Sequence, residues 1–297
     1  MHTSAPLPLD RGDHRRALQL LAGIALFILA QAVMMLVARL VPTGWGLLLG
    51  ACAGALVALV GLLVIVGPLG GRPGLTLHGP GRLAELGLGL ALGVGLISLS
   101  VGVIALFGGY RITGLEASPQ LLVPLAMGVG AGVVEEVVFR GVLLRVLDAW
   151  LGSWAALALS SLLFGLIHLT NPGASLITAL ALVIEAGILL GAAYLLTRRL
   201  WLAIGLHIAW NTVQAGIFSS AVSGTGRQNG LLNAQMHGPA WLTGGEMGIE
   251  GSLVSVLLGL AAGVVMLVLA ARRGRLLPPV RGERARRTLE ARVARSR

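Results

Sequence analysis

The sequence predicts an all-α membrane protein with about eight transmembrane helices, and its composition is the first reason. Of its 297 residues, 56% are hydrophobic and 11% are charged, whereas soluble domains carry about 25% charged residues. The mean hydropathy is +0.89. Aromatic residues make up only 4% of the chain, while 44 residues are glycine. The apolar mass therefore comes from small and aliphatic side chains, which pack closely in membrane helices.

Eight apolar stretches are long enough to cross a bilayer, which takes about 20 mainly apolar residues. They cover approximately residues 17–38, 46–69, 84–108, 120–147, 152–169, 175–196, 200–219 and 251–271. The first stretch also resembles a signal peptide, but its apolar run continues to Ala38, so we expect an uncleaved span. Gly89 and Gly93 have the small-xxx-small spacing that serves helix packing. The connection at 220–250 is rich in Gly, Ser and Asn, and we expect it to be flexible.

The placement of arginine predicts the orientation of these spans. All 22 basic residues are arginine, and they concentrate at every second connection, which the positive-inside rule places in the cytoplasm. We therefore expect both termini in the cytoplasm and the protein in the plasma membrane, the inner membrane of a bacterium. The predicted organisation is a cytoplasmic segment at 1–16, an eight-helix membrane domain at 17–271 and an arginine-rich cytoplasmic tail at 272–297.

The net charge of +10 lies mainly in that tail, which holds ten arginines against Glu283 and Glu290. A basic cluster directly after a membrane span is typical of segments that contact anionic lipid. We therefore expect membrane lipid, and no nucleic acid, as the partner of the tail.

Several polar side chains lie inside the predicted spans, where a charge costs about 2.5–3.5 kcal/mol on insertion scales. Each is therefore a candidate functional residue. They are Glu135, Glu136 and Arg140 in the fourth span, His168 in the fifth, Glu185 in the sixth, and His207 with Asn211 in the seventh.

The two adjacent glutamates of the fourth span point about 100° apart on a helix, so they cannot share one role. Glu136 and Arg140 are four residues apart on one face, where an ion pair would offset part of the cost of both charges. Glu135 faces elsewhere, beside Phe139, without a local partner. An unpaired buried carboxylate binds a proton more readily, which suits a general base. The alternative is that both glutamates serve structural hydrogen bonds.

His207 and Asn211 are also four residues apart, and together they can offer two hydrogen-bond donors to one point. A developing oxyanion requires such donors; the alternative is an interhelical hydrogen bond. His168 could equally be a packing or interfacial histidine. At 1.5 Å per residue, Glu135 and His207 lie roughly 12–15 Å from the cytoplasmic end and His168 over about 20 Å. The three can meet only if the fifth span begins deeper or tilts.

Three motifs now stand in order: Glu135-Glu136-x-x-x-Arg140, Phe164-x-x-x-His168 and His207-x-x-x-Asn211. Together they resemble the CAAX-protease and bacteriocin-processing family of intramembrane proteases, often called CPBP or Abi. The resemblance covers about residues 120–215, and the sequence at 197–201 is similar to the family's approach to its third motif. Each motif alone is weak evidence for the family, whereas the presence of all three motifs, in order and in separate spans, is specific to it.

This resemblance implies an eight-helix fold around a buried polar cavity that is conical and open to the cytoplasmic side. It implies an endopeptidase similar to CAAX prenyl proteases, in which Glu135 and His168 activate a water while His207 and Asn211 stabilise the oxyanion. Glu136 and Arg140 would support them. The expected substrate is a peptide or protein, with lipidated and membrane proteins included, and no cofactor is expected. Glu185 has no place in the family pattern.

Other functions remain open at this stage. In a zinc-dependent version of the protease, Glu135, His168 and His207 would be ligands. A transporter could use Glu135, Glu185 and His168 as a proton or ion path, although no inverted repeat is visible. A third alternative is a membrane scaffold or immunity protein without catalysis. The zinc motif HExxH and the serine motif GxSxG are both absent from the sequence.

Overall fold

The computed structural model describes residues 11–69 and 77–278, and this part of the chain is almost entirely helical. Seven of its helices are long and apolar enough to cross a membrane, so the all-α membrane prediction is confirmed. They are His14–Leu40, Gly44–Leu69, Arg82–Leu106, Leu122–Leu151, Ser153–Thr170, Leu176–Thr197 and Leu253–Arg272.

The elements follow the predicted order. The helices are α1 (Arg11–Leu40), α2 (Gly44–Val64), α3 (Arg82–Leu106), α4 (Leu122–Glu136), α5 (Arg145–Leu151), α6 (Ser153–Ile167), α7 (Leu176–Leu182), α8 (Leu189–Thr197), α9 (Trp201–Gly216), α10 (Ala240–Thr243) and α11 (Leu253–Arg272). The strands are β1 (Tyr110–Leu115) and β2 (Leu232–Met236).

Segments of π-helix join several of these helices into longer rods. Val137–Leu144 connects α4 to α5, Val183–Ile188 connects α7 to α8, and Ile65–Leu69 extends α2. A π turn contains an extra residue, which changes the direction of the side chains around it and occurs often at functional sites. The first of these segments contains Arg140 and the second contains Glu185, so both irregular stretches contain residues that the sequence marks as candidates.

Helix α9 lies where the seventh span is predicted, but it has only 16 residues and is not among the seven long helices. It crosses the bundle nevertheless, packed closely against α3. A Cβ atom on Gly89 would lie 2.3 Å from the carbonyl oxygen of Leu202, and one on Gly205 would lie 2.3 Å from that of Leu86. Glycine is therefore required for the two backbones to approach, as the spacing of Gly89 and Gly93 predicts.

Contacts among the segments that connect the helices define the two ends of the bundle. At the arginine-rich end (77–81, 148–153, 198–200 and 273–278), Arg198 pairs with Asp148, and Arg199 pairs with Glu85. At the cap end (107–121, 168–175 and 217–252), β1 pairs antiparallel with β2, and the Gly173 N–H donates to the Gly224 carbonyl at 2.9 Å. Helix α9 starts at the first end and finishes at the second, so eight helices in the described chain run between them.

Residues 217–252, here called the cap, differ from the flexible loop that the sequence suggests. The cap contains β2, α10 and two short 3-10 turns, and it buries Val222, Met247 and Ile249. The Gln214 amide donates to the Ala221 carbonyl at 2.6 Å, which fixes the start of the cap to α9. The glycines that suggest flexibility instead supply left-handed turns, as at Gly248 with φ of 101°.

The predicted outer segments are described only in part. Helix α1 begins at Arg11, ahead of the predicted span start at residue 17, and α11 ends at Arg272. Residues 1–10 and 279–297 lie outside the described residues, as does the arginine at position 72. The division into 1–16, 17–271 and 272–297 therefore stays a prediction.

Topology can be tested by reporter fusions. Gly114 pairs with Asn233 in the β-ribbon, so the connections around 114 and 229 lie at the same end of the bundle. We expect fusions at Gly114 and Asn229 to read outside and a fusion at Arg297 to read cytoplasmic, because arginine concentrates at the opposite end. An extracytoplasmic signal from the Arg297 fusion would contradict this orientation.

Candidate active site

The structure brings the three motifs together in the interior of the bundle. Glu136, Arg140, His168, His207 and Asn211 are all buried, with exposed fractions between 0% and 8%. The side chain of Glu135 is more accessible, at 21%, although its Oε2 atom is buried. Three chain segments supply these groups: the α4–α5 rod, the end of α6, and α9.

The Glu136 carboxylate joins two of these segments. Its Oε1 atom accepts a hydrogen bond from Arg140 Nη1 at 2.8 Å and lies 2.9 Å from His207 Nδ1. Since a carboxylate only accepts, Nδ1 of His207 is the donor. The predicted pair of Glu136 and Arg140 is present, but the sequence did not indicate the bond to His207. Glu136 therefore orients a candidate oxyanion donor as well as balancing Arg140.

Arg140 also contacts the rod that consists of α7, the π segment Val183–Ile188 and α8. Its Nη2 atom donates to the carbonyls of Ala186 at 3.2 Å and Gly187 at 3.3 Å, both in the π segment Val183–Ile188. With an exposed fraction of 1%, the guanidinium is almost fully removed from solvent. Its charge is balanced by Glu136, and its Nη2 hydrogens are directed at backbone oxygens.

Phe164 lies at the centre of the site. The Arg140 Cζ atom lies 4.4 Å from the centroid of its ring, within the range of a cation–π contact. The ring centroid is 4.9 Å from that of His168 and 6.1 Å from that of His207. Phe164 therefore lies beside both histidines. Sequence reasoning used Phe164 only as part of a motif and did not assign it this role.

His168 and Glu135 face each other across a short gap. His168 Nδ1 lies 2.7 Å from the Phe164 carbonyl oxygen and must be the donor, because that oxygen can only accept. The neutral ring therefore has its lone pair on Nε2, which lies 4.0 Å from Glu135 Oε2. That distance is too long for a direct hydrogen bond but suits a bridging water. The requirement that His168 meet Glu135 is thus fulfilled.

His207 and Asn211 line a small internal cavity of about 20 Å³, together with Glu185, Ser223 and Glu250. This volume holds about one water molecule. Phe164 also lines this cavity, whereas Glu135 and His168 do not, so the four candidate catalytic residues form two pairs. Within the described residues, no hydrogen bond reaches the Asn211 side chain, which leaves its amide free to donate.

Two residues of this cavity were missed by the sequence reasoning. Glu250 and Ser223 belong to the cap, and the Glu250 carboxylate accepts a hydrogen bond from the Ser223 backbone N–H. Burial raises the pKa of Glu250 above its ordinary value. Only the folded cap brings these residues beside α9, so sequence spacing gives no signal for them. Glu185, by contrast, was flagged as a polar residue in a span, and it lines the cavity with 2% of its surface exposed.

A larger cavity of about 380 Å³ lies among the cap-end connections, where it is lined by Tyr110, Phe218, Arg227 and Ala234 among others. It contains none of the predicted site residues. The resemblance implied a cavity open to the cytoplasmic side, whereas this cavity lies at the end that the arginine pattern assigns to the outside.

The zinc alternative requires Glu135, His168 and His207 to converge. Across residues 11–69 and 77–278, no group of three His, Cys, Asp or Glu side chains could hold a metal ion. Of the three side chains, only His207 lines the small internal cavity. The residues in this arrangement therefore do not fit a zinc site.

Comparison with known proteins gives one match. Residues 117–213 match the family model Rce1-like, described as type II CAAX prenyl endopeptidase Rce1-like. The matched region runs from just before α4 to near the end of α9 and contains all three motifs, so the resemblance to the CPBP family is confirmed there. No curated protein and no solved structure matches the chain. The long apolar helices indicate an integral membrane protein, and over the matched region the chain is similar to CAAX-type endopeptidases.

Replacing Glu136 by Gln tests its structural role. The change leaves the Arg140 charge buried without its counter-ion, and breaking a buried pair in this way costs about 3–5 kcal/mol. We expect Glu136→Gln to lower the melting temperature of the purified protein as well as any activity. Glu116→Gln, in the connection before α4, serves as the control and should melt like the wild type. Lost activity with an unchanged melting temperature would contradict this and make Glu136 the chemical carboxylate.

Proposed function

We propose that the protein is an intramembrane endopeptidase that hydrolyses peptide bonds with an activated water. The observation that carries the proposal is the facing pair of Glu135 Oε2 and His168 Nε2, 4.0 Å apart, in a chain that matches the CAAX endopeptidase family over 117–213. Hydrolysis needs an activated water on one side of the scissile carbonyl and hydrogen-bond donors on the other. The two pairs of candidate residues supply these two sides.

On the first side, the water is held between Glu135 and His168. Since His168 Nδ1 donates to the Phe164 carbonyl, Nε2 accepts a hydrogen bond from the water and orients it. Glu135 Oε2 has no hydrogen-bond partner in the described structure, so it is free to take the proton as the water oxygen attacks. The same carboxyl group then gives this proton to the leaving amine nitrogen when the C–N bond breaks.

On the second side, the oxyanion enters the cavity lined by His207 and Asn211. The Nδ1 hydrogen of His207 is bonded to Glu136, so Nε2 donates only when the ring is an imidazolium. The adjacent Glu136 carboxylate stabilises that cation, which gives Glu136 an indirect electrostatic role. Asn211 adds a neutral amide donor. Preorganised donors of this kind contribute strongly in a site that excludes water.

We infer a peptide or protein substrate that reaches the site within the membrane, lipidated and membrane proteins included, with no cofactor required. We also infer the plasma membrane, the inner membrane of a bacterium, as the location, with both termini cytoplasmic. The transporter alternative is less well supported, because Glu185 lines the small internal cavity while Glu135 and His168 do not. A non-catalytic scaffold would not require the free carboxylate of Glu135.

Peptide cleavage by the purified protein in detergent tests the proposal. A panel of reporter peptides, with prenylated and unprenylated C-terminal sequences, is incubated with the wild type, Glu135→Ala and the control Glu116→Ala. We expect the wild type and the control to cleave at equal rates and Glu135→Ala to lose about 10²–10⁴ in rate, the usual contribution of a general base. Equal cleavage by Glu135→Ala, or no cleavage by the wild type, would overturn the proposal.

The oxyanion role of Asn211 predicts a specific kinetic change. Asn211→Ala is expected to lose about 10²–10³ in kcat, the typical loss of one oxyanion donor, while KM stays close to that of the wild type. Asn229→Ala, on the surface of the cap, is the matched control and should leave both constants unchanged. A raised KM with wild-type kcat would show that Asn211 binds the ground state of the substrate instead.

Metal dependence separates the two forms of the mechanism. Without zinc, we expect cleavage to survive treatment with a strong chelator, and metal analysis of active protein to find far less zinc than protein. The reason is that water activation is assigned here to a carboxylate and a histidine. Stoichiometric zinc whose removal abolishes activity reversibly would replace this mechanism by a metalloprotease with Glu135, His168 and His207 as ligands.

A further inference from the structure

Glu185 is a buried carboxyl group that the proposed mechanism does not use. It lies in the π segment between α7 and α8, has an exposed fraction of 2%, and lines the same cavity as His207 and Asn211. Gly259 of α11 packs against the aliphatic part of its side chain. Among the described residues, none forms a hydrogen bond with its carboxyl group.

The surroundings of Glu185 favour its neutral form. The Arg140 guanidinium is already directed at Glu136 and at the carbonyls of Ala186 and Gly187. The carboxyl group of Glu250 lines the same cavity, and a negative charge on one of these groups disfavours a second one there. A buried carboxylate without a cation is costly, and two nearby carboxyl groups do not both ionise. Of the two, Glu250 has the Ser223 N–H as a donor, so the proton belongs on Glu185.

The cavity itself has the size of a single oxygen site. Its volume of about 20 Å³ accommodates about one water molecule, and the Asn211 amide beside it is 5% exposed without a hydrogen-bond partner in the described chain. Such a cavity would be filled by the oxygen atom of a tetrahedral intermediate. An ionised carboxylate here would repel that oxygen, whereas a protonated one can donate to it, as carboxylic acids held neutral by an apolar site do in other enzymes.

We propose that Glu185, in its protonated form, donates a third hydrogen bond to the oxyanion beside His207 and Asn211. Glu185 is then a catalytic residue outside the three motifs, and it keeps its proton throughout the reaction. This inference rests on the proposed peptidase function, since without hydrolysis there is no oxyanion to stabilise.

Two substitutions of similar size distinguish a neutral donor from a charged group. Glu185→Gln keeps a neutral donor at the same position, and Glu185→Met removes it. We expect Glu185→Gln to retain kcat within about tenfold and Glu185→Met to lose about 10²–10³ in kcat with little change in KM. Rates are expressed per folded molecule after size-exclusion chromatography, with Glu116→Gln as the control.

Two kinetic outcomes would overturn the proposal. If Glu185→Gln loses as much activity as Glu185→Met, the carboxylate form is required; if Glu185→Met keeps the wild-type kcat, Glu185 has no role in the step. Infrared spectroscopy tests the protonation state without activity: the wild type at neutral pH should show a protonated carboxyl band that Glu185→Gln lacks. Absence of that band from the wild type would also overturn it.

The cleavage activities of the variants distinguish a wrong role for Glu185 from a wrong mechanism. If the wild type cleaves peptides, Glu135→Ala does not and Glu185→Met does, only the role of Glu185 is refuted. If Glu135→Ala cleaves as fast as the wild type, the proposed mechanism itself is refuted.

Discussion

The rest of the site depends on the ion pair and the hydrogen bond that the Glu136 carboxylate forms with Arg140 and His207. A carboxylate with no exposed surface is tolerated in the interior of a membrane protein only if its charge is balanced and it accepts hydrogen bonds. Here Oε1 accepts both bonds, while Oε2 has no partner among the described residues. Arg140 supplies the balancing charge, and His207 supplies the second hydrogen bond. Because these two donors lie on different elements, the requirement also fixes α9 relative to the α4–α5 rod.

Arg140 extends this constraint to the other side of the site. Its second nitrogen is directed at carbonyls in the π segment Val183–Ile188, which also contains Glu185. Its guanidinium lies over the ring of Phe164, which in turn contacts both histidines. The charged groups of Glu136 and Arg140, which are costly in the membrane, therefore also hold the candidate catalytic side chains in position. The two π segments contribute by directing Arg140 and Glu185 inward from opposite rods.

Much of the fold could be predicted because a bilayer imposes length and composition on each span. All eight predicted spans correspond to helices, although α9 is shorter than expected, and the i,i+4 spacing correctly paired Glu136 with Arg140. The depth estimate for His168 assumed that α6 starts at the edge of the bundle. Ser153 is in fact buried beneath the chain at Leu277, to which its backbone N–H donates at 2.9 Å.

The parts that could not be predicted depend on tertiary contacts between distant residues. The bond from His207 to Glu136 spans 71 positions, and the contacts of Phe164 with both histidines have no periodicity that would reveal them. The cap was misread because its glycines are equally typical of flexible loops and of tight left-handed turns. Its contribution to the cavity, through Ser223 and Glu250, therefore becomes visible only in the folded chain.

The most direct test of the central claim is a structure of the protein with a hydrated peptide aldehyde, whose two geminal oxygens imitate the tetrahedral intermediate. The account predicts one oxygen within hydrogen-bond distance of Glu135 and His168, and the other in the cavity lined by His207 and Asn211. An inhibitor with neither oxygen in that cavity, or with both oxygens bridged by a metal ion, would contradict it.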